Sequence, residues 1–376
     1  MNFIPHVLTA CSLHGSIHAQ HDSEASTPAN QPNIIIILTD DQGYSDTGCY
    51  GCKDFKTPHI DALAASGVKF TNGYVSHPYC SPSRAGLLTG RYQQSFGHEH
   101  NPPHYDENDL KIGTDLSIPL LPTYFTAKGY RTAAFGKWHI GGNDPNNYSH
   151  PKDSGVPYYE GLFTSQVDDY YSWTKVNSDG VEEQVNEYVT THLTNSAISW
   201  IDNQTKPWFL WLAHVAPHAP FQTPPSGTYT TTPTNTRTTY LSMIENMDYE
   251  INRLLESMDD ETLENTVIIF IGDNGTPGAA NNYWPNGHAK SSMYEGGIRV
   301  PMIITGKSVE RVNEVEASLV QATDLHATIL ELAGVQVLGG TDNSFSLKPA
   351  LSYENQVLNR INSTLRLTLL LEDTFG

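Results

Sequence analysis

Three apolar runs constrain this chain more than any other feature. Asn33-Ile34-Ile35-Ile36-Ile37-Leu38, Trp208-Phe209-Leu210-Trp211-Leu212-Ala213 and Thr266-Val267-Ile268-Ile269-Phe270-Ile271 contain almost no polar residue. A strand with one face in water alternates apolar and polar side chains. An unbroken run of this length marks a strand buried on both faces, which is the environment of a central parallel strand. Each run ends abruptly in polar chemistry: Asp40-Asp41, His214 to His218, and Asp273-Asn274. In open α/β sheets ligands bind at such strand ends. Helical patterns separate the runs. Thr57-Pro58 starts one with an N-cap and Pro at the first helical position, and others cover Leu120–Lys128, Val189–Ile201, Tyr240–Leu255 and Val320–Gly334. The chain is therefore expected to be α/β, and 376 residues suffice for one large domain or two smaller ones.

Cys80 is set for chemistry by its position. It lies in His77-Pro78-Tyr79-Cys80-Ser81-Pro82-Ser83-Arg84, a turn leading into a helix. A helix N-terminus, with Arg84 one turn on, favours negative charge on a thiol placed there. An isolated cysteine at such a place reads first as a buried structural residue. Cys49 and Cys52 form a C-x-x-C with no second pair to complete a zinc site, so a local role is expected for them.

Adjacent carboxylates at Asp40 and Asp41 are costly unless a cation lies between them, and Asp273-Asn274 ends a comparable strand with further hard oxygen donors. That donor set suits Ca²⁺ or Mg²⁺ better than zinc. D-D as a helix cap and D-N-G as a common turn are the alternatives. Lys137 and His139, in Gly136-Lys137-Trp138-His139-Ile140-Gly141, alternate along a segment read as extended, so both are expected to point to one side. His98, His100 and His104 lack carboxylate or cysteine partners and are expected in a solvated loop. Residues 143–185, polar and rich in Tyr, with Trp173, read as an insertion suited to sugar stacking or to ordinary packing. Pro224 to Thr239 reads as a loop.

The formal net charge of −20 argues strongly against a nucleic-acid partner and against adsorption to an anionic membrane. An anionic substrate would need a local cation cluster to overrule that field at short range.

Several of these segments together resemble the type I sulfatases. C-x-P-S-R followed by A-x-L-L-T-G (Cys80–Gly90) resembles the family signature, and I-I-I-L-T-D-D-Q-G resembles its N-terminal strand. G-K-W-H-x-G (Gly136–Gly141), P-H-x-P (Pro217–Pro220), D-N-G (Asp273–Gly275) and the block His288–Pro301 follow in the family's order, from about residue 33 to residue 334. The resemblance implies an alkaline-phosphatase-like fold, a large mixed, mostly parallel sheet sandwiched between helical layers. It implies that Cys80 is oxidised to formylglycine by a formylglycine-generating enzyme. It also implies that Asp40, Asp41, Asp273 and Asn274 hold a Ca²⁺ (Mg²⁺ is possible) that touches the nucleophile made from Cys80. Arg84, Lys137 and Lys290 would stabilise transition-state charge. Of His139 and His218, one would protonate the leaving alkoxide and the other would deprotonate the second hydroxyl; the sequence does not assign them. His214 keeps a structural reading, and Glu295 and Arg299 are expected to brace their loop.

The implied activity is hydrolysis of a sulfate monoester, on a sulfated carbohydrate or a small sulfate ester. A phosphonate monoester or phosphodiester hydrolase on the same scaffold, and an inactive anion-binding homologue, are the alternatives. Residues 1–32 read as a targeting segment and linker, 33–338 as the catalytic domain, and 339–376 as the remnant of a smaller C-terminal subdomain. Leu365–Leu371 would supply at most one strand, so a truncated C-terminus is expected. Export to the periplasm or beyond is expected. Leu8-Thr9-Ala10-Cys11 resembles a lipobox that would anchor Cys11, and the apolar stretch around it is too short to span a membrane.

Overall fold

A computed structural model describes residues 31–102, 113–142, 147–336 and 343–353. Its strands are β1 (Asn33–Thr39), β2 (Gly67–Tyr74), β3 (Arg131–Gly136), β4 (Tyr158–Gly161), β5 (Trp173–Asn177), β6 (Glu182–Val185), β7 (Trp208–Ala213), β8 (Thr266–Gly272), β9 (Met302–Gly306) and β10 (Glu314–Gln321). The helices are α1 (Pro58–Ala65), α2 (Cys80–Thr89), α3 (Leu121–Ala127), α4 (His150–Asp153), α5 (Val189–Ile201), α6 (Thr236–Ser257), α7 (Asp260–Glu264), α8 (Glu295–Ile298), α9 (Asp324–Leu332) and α10 (Lys348–Leu351).

All of these strands join one sheet in the order β10-β2-β9-β8-β1-β7-β3-β4-β5-β6. The three apolar runs are β1, β7 and β8, hydrogen-bonded side by side and parallel. With β3 and β4 they form a parallel block. The β8–β9, β9–β2, β4–β5 and β5–β6 pairings are antiparallel, which makes the sheet mixed.

Burial on both faces follows from the pleat. Ile34, Ile36 and Leu38 pack under α2, α3 and α9 through Leu87, Leu88, Leu121, Phe125 and Ile329. Ile35 and Ile37 face the opposite layer, where Ile60 of α1, Leu193 of α5, and Ile244, Met247 and Ile251 of α6 cover them. Each of these fully buried side chains contributes roughly 1.5–3 kcal/mol. Neither helical layer is dispensable, because stripping either would expose a continuous apolar strand face.

The structure departs from several sequence-based expectations. Residues 147–185 are not a simple insertion: they carry α4 and strands β4 to β6, which extend the sheet to its edge. Tyr159, Tyr170 and Trp173 are buried there, so packing claims most of their surface. Helix α6 begins four residues before Tyr240, inside the stretch read as loop, because Asn235 caps it. Asn235 Oδ1 accepts from the Thr238 backbone N–H at 3.0 Å while its own N–H donates to Thr238 Oγ1 at 3.0 Å. The pattern expected as one helix over Val320–Gly334 divides into the end of β10 and helix α9. Residues 1–30, His104, and Leu365–Leu371 lie outside the described residues, as do Cys11 and most of the stretch after Gly340. Among the described residues no helix is long and apolar enough to cross a membrane.

One buried acid in this frame has a measurable consequence. Asp248 of α6 accepts the backbone N–H groups of Ile60 (2.7 Å) and His59 (3.1 Å) at the start of α1. Burial raises its pKa to about 7, against those hydrogen bonds and with Asp61 and Glu245 adding to the rise. Between about pH 4 and about 7 the folded state keeps a proton that the unfolded chain has released. Its contribution to stability is therefore full at low pH and is lost as pH rises through the folded value. Asp248→Asn keeps an acceptor oxygen and removes the titration. Denaturant midpoints measured against pH should flatten over that window, with a gain of ~1–3 kcal/mol above pH 7 relative to the parent. Coincident pH profiles would contradict this assignment.

Candidate active site

The parallel block aims the ends of four adjacent strands, β8, β1, β7 and β3, at one place. Backbone hydrogen bonds continue the ladder into the site: Asp273 N–H donates to Thr39 (2.9 Å), Asp40 N–H to Ala216 (3.2 Å) and Lys137 N–H to Ala213 (2.9 Å). Gly136 makes the turn from β3 possible. It has φ +102°, and a Cβ there would lie 2.0 Å from the Ala213 carbonyl oxygen. Asp41 (φ +70°) and His139 (φ +60°) are also left-handed, a conformation that costs a non-glycine residue free energy and is concentrated at functional sites.

Cys80 opens α2 and is buried. Its Sγ lies 3.3 Å from Asp40 Oδ1, 3.8 Å from Asp41 Oδ1 and 3.6 Å from Lys290 Nζ. Lys137 Nζ reaches Asp40 Oδ2 at 2.6 Å, and Lys290 Nζ pairs with Asp41 Oδ1. Arg84 turns back along α2: Nε and Nη2 donate to Asp273 Oδ2 at 3.0 and 2.8 Å, and Nη1 donates to the Lys137 carbonyl at 2.7 Å. Its donors thus orient Asp273, and Asp40 lies 3.6 Å away. Three acids, Asp40, Asp41 and Asp273, meet three basic side chains, Arg84, Lys137 and Lys290, within an otherwise strongly acidic chain.

Burial would raise the pKa of Asp40, but Lys137, His218, Arg84 and Lys290 outweigh it and hold the carboxyl well below the ordinary range. The expectation that the helix N-terminus favours a thiolate at Cys80 does not hold in this structure. Burial and the neighbouring Asp40 raise the thiol pKa well above its ordinary value, despite Lys137 and Lys290.

The oxygen donors suit a hard cation. Asn274 donates its amide to Asp41 Oδ1 (2.8 Å) and to the Gly275 carbonyl (3.0 Å). Its Oδ1 is buried with no hydrogen-bond partner among the described residues, which leaves it available as a cation ligand. Asp40, Asp41, Cys80 and His218 each offer a ligand atom, all within 4.8 Å of one another. Asp273 Oδ1 accepts from the Asp41 backbone N–H at 3.0 Å and stands beside this group. Carboxylates with a carboxamide oxygen match Ca²⁺ or Mg²⁺ chemistry.

The two candidate histidines occupy different settings. His218 Nδ1 donates to the Ala219 carbonyl at 2.7 Å, which leaves Nε2 facing Asp41 Oδ2 at 3.7 Å, and the side chain retains 14% exposure. His139 is fully buried, and burial with the charges of Lys137 and Arg84 keeps it neutral. Because its backbone is left-handed, the segment is not the extended ribbon that would point Lys137 and His139 to one side. His214 is buried, and burial lowers its pKa to about 3, in keeping with a structural residue. His98 corrects the expectation of a solvated loop: it is buried, 2.6 Å from Ser81 Oγ and 3.3 Å from Thr114 Oγ1.

Tyr170, Arg237 and Tyr240 also support the site but carried no sequence signal for it, because each is a single side chain far along the chain from the segment it holds. Tyr170 donates to the His218 carbonyl at 2.7 Å. Tyr240 donates to the Asp41 carbonyl (2.8 Å) and to Asp46 Oδ2 (2.7 Å), and Arg237 holds the other oxygen of Asp46 at 2.9 Å. Arg299 pairs with Glu295 at 3.0 Å and ties α8 to β2 through the Thr71 carbonyl. Cys49 and Cys52 are free, the latter 3.2 Å from the Tyr283 hydroxyl.

The family model described as Sulfatase matches residues 32–335. The chain is 32% identical over 345 residues to arylsulfatase J of Mus musculus, covering 86% of this chain and 56% of that protein. It is 31% identical over 345 residues to N-acetylgalactosamine-6-sulfatase of Homo sapiens, covering 83% and 64% respectively. Among solved structures, Ps i-CgsB superposes with a TM-score of 0.78 at 32% identity, over 86% of this chain and 76% of that one. The chain thus spans between about half and two thirds of the length of these curated relatives.

Proposed function

The chain belongs to the sulfatase family, and on that premise we propose that it hydrolyses sulfate monoesters, with position 80 as the nucleophile and with sulfated carbohydrate as the substrate class. The observation that carries the reading is the position of Cys80 Sγ, between the oxygen-rich acid cluster and Lys290. A relative named N-acetylgalactosamine-6-sulfatase, and the structure of Ps i-CgsB in complex with k-i-k-neocarrahexaose, support a saccharide carrier.

Asp40, Asp41, Asp273 and Asn274 would hold Ca²⁺ or Mg²⁺, which when bound supplies Lewis acidity toward a sulfate oxygen and toward the nucleophile. Formylglycine at position 80, made by a formylglycine-generating enzyme, would supply a hydrated aldehyde bearing two hydroxyls, one to serve as nucleophile and one for sulfate release.

The remaining work falls to side chains of this chain. Lys290 reaches the nucleophile position directly and would bind an equatorial sulfate oxygen. Lys137 sits across Asp40 and offsets charge that develops there. Arg84 fixes Asp273 and, through it, the geometry of the acid cluster. His218 keeps its Nδ1 proton on the Ala219 carbonyl and presents Nε2 on the partly exposed side, from which an alcohol leaves. We assign it the leaving-group proton, and assign His139, buried beside Lys137, to the second hydroxyl. Export, to a periplasm or beyond, accompanies this reading.

The test compares turnover of an aryl sulfate with that of an aryl phosphodiester and an aryl phosphonate monoester, together with peptide mass analysis of position 80. Sulfate ester turnover with an aldehyde at position 80 is expected to dominate. Preferential cleavage of the phosphorus esters would assign the scaffold to that chemistry. An unmodified thiol with no turnover would make the chain an anion-binding homologue.

A further inference from the structure

Where the amino ends of β3 and β7 lie, opposite the catalytic residues, the surface opens into a second cavity of about 550 Å³. The six residues of β3 place it roughly 17–20 Å from the Lys137 end, beyond the reach of one group bound at Cys80.

The lining has a definite chemistry. It includes Arg131 and Lys206, both exposed, and no carboxylate. Neither cation has an ion pair among the described residues, in a chain with 41 acids and 21 Lys and Arg. Beside them Tyr158 is 47% exposed and lies across Trp200, with ring centroids 6.4 Å apart and planes at 39°. Gln204 adds an amide. Tyr130, only 4% exposed, puts into the wall a hydroxyl with no hydrogen-bond partner among the described residues. An unpaired buried hydroxyl is costly unless a ligand or water meets it.

Aromatic surface, amides and a hydroxyl suit a sugar ring, and two unpaired cations suit an anionic substituent on it. We infer that this cavity is an accessory site for a sulfated saccharide unit, which holds one part of a polymer while another part occupies the catalytic site. The choice of sulfate over other anions rests on the proposed function. Two linked sites would raise the effective concentration of substrate at the catalytic end.

Affinity electrophoresis of the full chain in gels containing dextran sulfate, with neutral dextran as control and mobility referred to a polymer-free gel, tests this directly. The parent protein should be retarded by dextran sulfate only. Arg131→Gln/Lys206→Gln should weaken apparent binding about tenfold, and Tyr158→Ala several-fold, since charge alone would not feel the loss of a ring. Both variants should keep the parent kcat/KM toward a small aryl sulfate. Cys80→Ala should keep the retardation, because its lesion lies at the other site. Equal retardation of the parent and the double variant, an unchanged Tyr158→Ala, or no retardation of the parent would overturn the accessory site. Absence of aryl sulfate turnover would instead overturn the hydrolase reading, which the gel does not measure.

Discussion

Cys80→Ala should reduce aryl sulfate turnover by about 10⁴-fold or more, to the level of the uncatalysed reaction plus whatever the cation cluster provides. Removing a nucleophile removes the covalent route, and no other described side chain stands in its place. The adjacent Ser81 is committed elsewhere: its hydroxyl is 2.5 Å from the His139 carbonyl and 2.6 Å from His98 Nε2. Cys80→Ser separates attack from release. A serine hydroxyl can accept a sulfuryl group but has no second hydroxyl to expel sulfate, so at most one turnover should occur, with a mass increase of one sulfuryl group. Stability should change little, because alanine leaves only a small void and relieves a buried polar atom beside Asp40. Sustained turnover by either variant, or an unmodified thiol in a fully active preparation of the parent, would rule out the proposed route.

Asp273→Ala should combine the second largest loss of activity with a loss of stability. The carboxylate is buried, accepts two hydrogen bonds from Arg84, and receives the Asp41 backbone N–H. Its removal leaves a buried guanidinium facing only Asp40 and the Lys137 carbonyl, a change that typically costs ~3–5 kcal/mol. Turnover should fall by about 10³-fold or more through the lost oxygen ligand and the displaced Arg84. Asn274→Ala separates the two effects. It deletes the carboxamide oxygen without uncovering a charge, so Ca²⁺ should stabilise the parent against thermal unfolding and this variant much less. Parent-like turnover of Asp273→Ala in excess chelator, or equal Ca²⁺ stabilisation of the parent and Asn274→Ala, would refute the cation site.

The elements most legible in the sequence were those whose physics is local. Four consecutive isoleucines with no polar alternation could belong only to a strand covered on both faces, and the two layers that cover β1 bear this out. The polar residues that end those runs were visible for the same reason, since each sits one step beyond an element with an obvious end. Periodicity was weaker where strands were short. Strands β4 to β6 are four or five residues long, too short to show a period, whereas β10 does alternate polar and apolar residues from Glu314 to Leu319, a strand signal that the helical reading of Val320–Gly334 left aside.

What the sequence determined by itself was the inventory: a cysteine before a helix, acids at two strand ends, and two lysines and two histidines in recognisable segments. Tertiary structure decided which of them meet. Asp40 and Asp273 are 233 positions apart, yet β1 and β8 pair in register and bring both to Arg84. It also decided protonation and direction. The helix N-terminus predicts a favoured thiolate at Cys80, but burial and Asp40 reverse the sign, because desolvation and a charge at 3.3 Å outweigh a partial dipole. His139 reads as a residue on an extended segment until its positive φ redirects it. Local sequence specifies elements and their ends, while charge balance, desolvation and side-chain direction depend on neighbours brought in by the sheet.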